Sequence, residues 1–190
     1  DVVMTHVTFA GSSAEDALNI VGSKFQIDET TFRETVSDGL DSDFSNGEIT
    51  KTGFDQIGGD GLDLAMSRVV GNKLEFSQIF DKAISAGEQS TARLSDIRVT
   101  KAGVAVVSKD GSKVTVQGLA ASGLALSTGM TYVKKPRYGV ASLSISGTES
   151  RLGSFINQKG NSLTVNGHDV AARDWDVNAL YASGRMLKIK

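Results

Sequence analysis

A small residue followed by an aliphatic one returns along this chain at nearly fixed intervals. The pairs are Ala17-Leu18, Gly39-Leu40, Gly61-Leu62, Ala83-Ile84, Gly103-Val104 and Gly123-Leu124, with steps of 22, 22, 22, 20 and 20 residues. A second register, Phe32, Phe54 and Phe76, also steps by 22, and Ile97 continues it after a one-residue deletion. Between the registers lie short alternating stretches, "SKFQI", "GEIT", "ARLS", "SKVTV" and "ASLSIS", that read as strands. Turn signals fall once per repeat, in "SNG", "GN" and "KDGS". A period near 20–22 with short strands and no amphipathic helix excludes most helical repeats, and the L-x-x-L-x-L pattern of leucine-rich repeats is absent.

The spacing therefore predicts an all-β chain: a parallel β-helix whose coils stack about 4.8 Å apart. Leu18, Leu40, Leu62, Ile84, Val104 and Leu124 should form one inward column, and the phenylalanines another. Parallel crossovers are right-handed with few exceptions, so a right-handed coil is expected. Residues 1–150 read as coils, and 151–190 as a last coil with a C-terminal cap, where "DVNALYASGRML" reads as short helix or irregular chain. The chain opens directly on a strand pattern, "DVVMTHVTF", so the first coil is expected to be uncovered, with a further domain or a partner beside it.

Charge separates two regions. Residues 1–66 carry 13 acidic and 3 basic side chains, whereas 67–190 carry 9 acidic and 17 basic ones. A net charge of −2 and the lack of any recognised module speak against nucleic acid. No cysteine is present, which excludes disulfides and thiolate metal sites. No apolar run reaches the roughly 18 residues of a membrane span. His6 and His168 stand alone, without metal spacing, and there is no nucleophile elbow, phosphate loop or dinucleotide fingerprint.

The strings "EDALNI", "SDGLDSDFSNGEI", "IGGDGLDLAMS", "FDKAISAGEQS", "GVAVVSKDGSKVTV" and "KKPRYG" follow one another from Glu15 to Gly139. In this order they resemble a group of bacterial parallel β-helix proteins of the pectate-lyase-like superfamily. The resemblance implies a β-helix domain of a larger exported protein, secreted, periplasmic or at the cell surface. Pectate lyases bind calcium through aspartates and abstract a proton with a basic residue, but their motifs do not map onto this chain position by position.

The residues themselves make the aspartates the candidates. Before each small–aliphatic pair stand Asp16, Asp38, Asp60, Lys82, Ala102 and Ser122; after it stand Asn19, Asp41, Asp63, Ser85, Ala105 and Ala125. Stacked at 4.8 Å, two like charges repel by about 3.5 kcal/mol at an effective dielectric near 20, so the columns need compensation. Three chemistries remain open. Asp38 and Asp60 suit ladders of backbone hydrogen bonds, with Asp41 and Asp63 outward, because neighbours of the inward Leu40 and Leu62 must face away. Asp38, Asp41, Asp60 and Asp63, with Asp43 beside them, offer oxygens to a hard cation, calcium being the candidate. Asp41 and Asp63 at coil spacing, with Lys82, are also candidates for acid–base work on a polysaccharide.

"GGDGLDLAM" nearly matches a calcium nonapeptide, but it recurs at 22 rather than nine residues. "YVKKPRYG" reads as a loop whose Lys134, Lys135 and Arg137 could contact an anionic polymer or partner. The functional expectation is a non-catalytic binding or scaffold β-helix engaging polysaccharide or a protein. The alternative is a lyase or glycoside hydrolase using the stacked aspartates and Lys82.

Overall fold

The computed structural model describes residues 1–182. The first turn contains β1 (Val2–Thr5), β2 (Thr8–Ala10) and β3 (Asp16–Val21); the second contains β4 (Lys24–Asp28), β5 (Thr31–Thr35) and β6 (Asp38–Asp43). From the third turn, strands run on through the corners: β7 (Asn46–Ile57), β8 (Leu62–Ala65), β9 (Arg68–Gly87) and β10 (Thr91–Lys109). Then follow β11 (Lys113–Ser122), β12 (Ser127–Tyr132), β13 (Ser142–Ser146), β14 (Phe155–Asn157), β15 (Ser162–Val165), β16 (His168–Asp169) and helix α1 (Val177–Ala182). All pair in parallel except β15 with β16, which makes a β-solenoid of about seven turns.

The first face stacks β1, β4, and the starts of β7, β9 and β10, followed by β11, β13 and β15. The five short stretches read as strands from their alternation all lie here. The second face carries the phenylalanine column, in which Phe9, Phe32, Phe54 and Phe76 stack ring on ring at 4.9, 5.0 and 4.7 Å, within 7° of parallel. Ile97 does not continue it: Ile97 pairs with Leu74, and Val99 takes the place over Phe76.

The third face carries the leucine column, which is also corrected beyond the fourth coil. Leu18, Leu40, Leu62 and Ile84 are in register as expected, but Ile84 pairs with Val106, followed by Gly129 and Phe155. The physical reason is an irregularity between Ala102 and Val104 that shifts the register and keeps the coil near 22 residues. Val104 consequently sits over Lys82, outside the main core, and Leu124 lies in the connection to β12, half-buried.

Two devices make the corners. Each turns on one residue in the left-handed region, and most of these are not glycine: Glu29, Lys51, Lys73 and Asp96 at one corner, Glu34, Gln56, Gln78 and Lys101 at the next. Such residues cost backbone energy there, and stacking within the solenoid holds them in place. At the third corner a column of serines crosses the coils. The amides of Ser23, Ser45, Ser67 and Ser90 donate to the Oγ of Ser45, Ser67, Ser90 and Ser112 at 3.0–3.1 Å. These hydroxyls satisfy amides that the turn leaves without ladder partners.

At the far end, the Asn166-Gly167 turn, with φ of 49° and 80°, folds β16 back on β15, and Val170 packs on the main core. The helical part of the tail lies elsewhere. Trp175, Val177, Leu180 and Tyr181 pack with Val104, Val107, Met130, Tyr132 and Ile156, along the outside of the third face. The rest of the stretch read as helical, from residue 183 on, is outside the described residues. At the other end, β1, β2 and β3 each pair on one side only.

Candidate functional site

The outer side of the third face changes along the solenoid. One column runs Asp16, Asp38, Asp60, Lys82, Val104 and Ser127; its neighbour runs Asn19, Asp41, Asp63, Ser85, Val107, Met130 and Ile156. The expected columns hold through Lys82 and Ser85, and the register shift replaces the rest. Where the apolar part ends and the acidic part begins, a cleft of about 420 Å³ opens. Asp38, Asp41, Asp43, Asp60, Asp63 and Lys82 line it, as do Lys134 and Lys135 from the loop after β12. Asp81, Glu88, Lys109 and Tyr181, which the sequence did not single out, complete the wall. Arg137 is outside: its guanidinium stacks over Tyr138 and bonds the Tyr138 hydroxyl at 2.9 Å. A larger groove of about 800 Å³ between Lys73 and Ser150 has only exposed charged side chains.

The first column is a ladder. The Asp60 amide donates to Asp38 Oδ1 at 2.7 Å, and the Lys82 amide to Asp60 Oδ1 at 3.0 Å. The bonds cross between coils rather than closing a local turn. The "GGDG" string follows from this packing. A Cβ on Gly59 would come within 1.9 Å of Asp38 Oδ1, and one on Gly61 within 2.7 Å of the Ala83 carbonyl. Close approach of successive coils, rather than a calcium loop, accounts for these glycines. Among the described residues, no group of three or more acidic or histidine side chains converges as a metal cage.

Compensation comes from two buried lysines. Lys82 Nζ lies 3.1 Å from Asp60 Oδ1 and also bonds Asp81 Oδ2. Lys109 Nζ donates to Ser85 Oγ at 2.8 Å and stands 4.0 Å from Asp63 Oδ1. Burial opposes the charge on both ammonium groups, but Asp60 and Asp81 beside Lys82, and Asp63 beside Lys109, hold them above the ordinary lysine value. Burial likewise works against Asp60, and Lys82 and Lys109 outweigh it, so its carboxyl is held low.

The aspartates away from the lysines behave oppositely. Burial, then the Asp60 charge, pushes Asp38 up to about 7 despite its amide bond. Amide bonding alone would have lowered it; loss of water and a like charge win. Burial, then Asp63 and Asp43, pushes Asp41 up to about 8; the Asn19 amide is its hydrogen-bond donor at 3.3 Å. Asp81 rises to about 6, through burial and then Asp60, and its Oδ1 is buried without a hydrogen-bond partner.

The rim is equally structured. Asp110 Oδ1 accepts the amides of Lys134 and Lys135, both at 2.6 Å, which holds the loop against the solenoid. Lys135 Nζ bonds Glu88 Oε1, and the Lys134 ammonium lies 4.6 Å from the centre of the Tyr181 ring. The Tyr181 hydroxyl is 2.7 Å from that of buried Tyr132. Chemically, the cleft offers carboxyls pushed toward the protonated form, one held ionised, buried ammonium groups and one aromatic ring.

Sequence spacing could find the aspartates and Lys82 because they repeat. Lys109 lies 27 residues after Lys82, off the period, and Tyr181 comes from the non-periodic tail. Comparisons with protein-family models, curated proteins and solved structures found no match. No helix among the described residues is long and apolar enough to cross a membrane.

Proposed function

We propose that this β-solenoid binds polysaccharide in the third-face cleft, as a domain of an exported bacterial protein related to the pectate-lyase-like superfamily. The observation that carries the reading is the make-up of the wall, where carboxyl groups, buried ammonium groups and one aromatic ring line a single cleft. Burial pushes Asp38 and Asp41 up to about 7 and 8, toward the protonated, donating form, while Asp60 is held low and accepts. Sugar hydroxyls need donors and acceptors together, and Tyr181 supplies a ring edge or face at the rim. A glycan partner fits a secreted, periplasmic or surface location, and the resemblance of the strings from Glu15 to Gly139 points the same way.

Affinity electrophoresis of the chain through gels holding neutral, acidic or amino polysaccharides tests this. Retardation by at least one, relieved by Asp63→Asn or Lys109→Met in a folded variant, is expected; free migration through all of them overturns the reading.

One arrangement favours chemistry as a second reading. Asp41 and Asp63 pair across adjacent coils, the first held protonated and the second near Lys109. Such a pair, about 5 Å apart, is the spacing of an acid and a nucleophile in retaining glycosidases. Release of reducing ends, lost in both Asp41→Asn and Asp63→Asn, is its signature; release of unsaturated ends would mark a lyase instead.

A further inference from the structure

Most of the exposed large apolar side chains among the described residues edge the third face in its first four coils. Val36 and Phe80 stand where the second and fourth coils enter the face, just before Asp38 and Lys82. Val21, Phe44 and Met66 stand where the first three coils leave it. Phe44 and Phe80 are 60% and 59% exposed, although phenylalanine is ordinarily a core residue. Both adjoin the cleft: Asp43, before Phe44, and Asp81, after Phe80, line its wall. Resting on the polysaccharide reading, we infer that a glycan crosses the whole third face, with sugar rings stacked on Phe80 at one rim and on Phe44 beside Met66 at the other.

The backbone supplies an independent observation. Among the described residues in the left-handed region, all are glycine or polar except Phe44 and Met66, both at φ 51°. Gly22, at φ 60°, holds the same place in the first coil without penalty. A bulky apolar side chain there costs backbone energy and leaves apolar surface in water, and the turn needs neither. Local strain and an exposed apolar patch at one spot mark a surface kept for binding. The geometry also fixes the kind of ligand. Val36 and Phe44 are eight residues apart, so at about 3.3 Å per residue the rims stand about 25 Å from each other. Phe80 belongs to the fourth coil and Phe44 to the second, so the line joining them crosses the third coil near Asp63. A pyranose carries C–H groups on its faces and hydroxyls around its edge. In an extended chain, the outer rings meet aromatic faces while those between meet carboxyl and ammonium groups. A mono- or disaccharide is too short to reach both rims.

Calorimetry with cellohexaose and xylohexaose, each beside its trisaccharide, tests the inference. In at least one series the hexasaccharide should bind roughly tenfold more tightly than the trisaccharide. Phe44→Gly and Phe80→Ala should each weaken the hexasaccharide roughly three- to tenfold, the worth of one ring contact, and leave the trisaccharide unchanged. Phe44→Gly should leave the thermal midpoint no lower, because glycine takes this backbone freely, which separates lost binding from lost folding. A hexasaccharide bound no more tightly than its trisaccharide, or indifferent to both substitutions, overturns the rims while the polysaccharide reading stands. So does binding in neither series when another polysaccharide retards the chain. Self-association broken by Phe44→Gly, with glycan binding unchanged, would assign the rims to a second copy instead. With no retardation by any polysaccharide, both readings fall.

Discussion

The outside of the third face in the second and third coils can be set against the same face three coils further on. Position for position, Asp41 and Asp63 are replaced by Val107 and Met130, and Asp60 is separated from Val104 by Lys82 alone. The later coils cover their surface with the tail, through Trp175, Val177, Leu180 and Tyr181. The earlier coils leave theirs as a cleft and balance it with lysines and held protons. The same stacking rule serves both regions. An apolar column is stabilised by whatever apolar segment covers it, whereas an acidic column is tolerated only beside cations or with protons bound.

Removing the cation should hurt most. Lys82→Met leaves Asp60 and Asp81 buried and unbalanced, and should lower stability by about 3–5 kcal/mol near pH 7. Denaturant unfolding measures it. The loss should shrink toward pH 5, because Asp81, pushed up to about 6, takes a proton over that range. A loss that does not vary with pH would mean that lysine packing, rather than its charge, matters here.

Next comes the column common to both regions. Leu62, fully buried between Leu40 and Ile84, should cost about 2–5 kcal/mol when changed to Ala. Val106→Ala should also destabilise, while Leu124→Ala, in the connection and half-buried, should cost clearly less. Similar losses at Leu124 and Val106 would contradict the shifted register.

A smaller effect marks the seam between the regions. Tyr181→Phe leaves the buried Tyr132 hydroxyl without its partner, at about 1–2 kcal/mol by thermal unfolding. No change would show that the tail covers the later coils by apolar contact alone.

The smallest effect has the opposite sign. Asp41 is held at about 8 when folded, well above an unfolded carboxyl. The folded state therefore binds its proton more tightly, and stability falls as pH rises from about 4 through 8. Asp60, held low, contributes in the other direction: its contribution is present above the unfolded value and is lost as pH falls below it. Asp41→Asn should thus leave stability nearly unchanged at pH 4 and raise it at pH 8–9, by less than about 1 kcal/mol once solvent screening is allowed for. A stabilisation equal at both pH values would argue against a raised Asp41.

The sequence by itself determined the solenoid, its coil length and the columns as far as Ser85. In a stack of equal coils, residues one period apart must be neighbours, so spacing along the chain reads directly as contact in space. That is why Phe32, Phe54 and Phe76, the leucines through Ile84, and the aspartates ending at Lys82 were legible. Only the tertiary structure decided what breaks the period. A small slip near Ala102 moved Val106, and not Val104, into the core. The tail brought Tyr181 beside Lys82 and Lys134. Corner positions such as Glu29 and Lys51 carry no glycine signal, because neighbouring coils impose their conformation. Local spacing predicts a charge and the direction it faces. Whether that charge is paired, protonated or left open to a ligand depends on burial, and burial is set by parts of the chain that do not repeat.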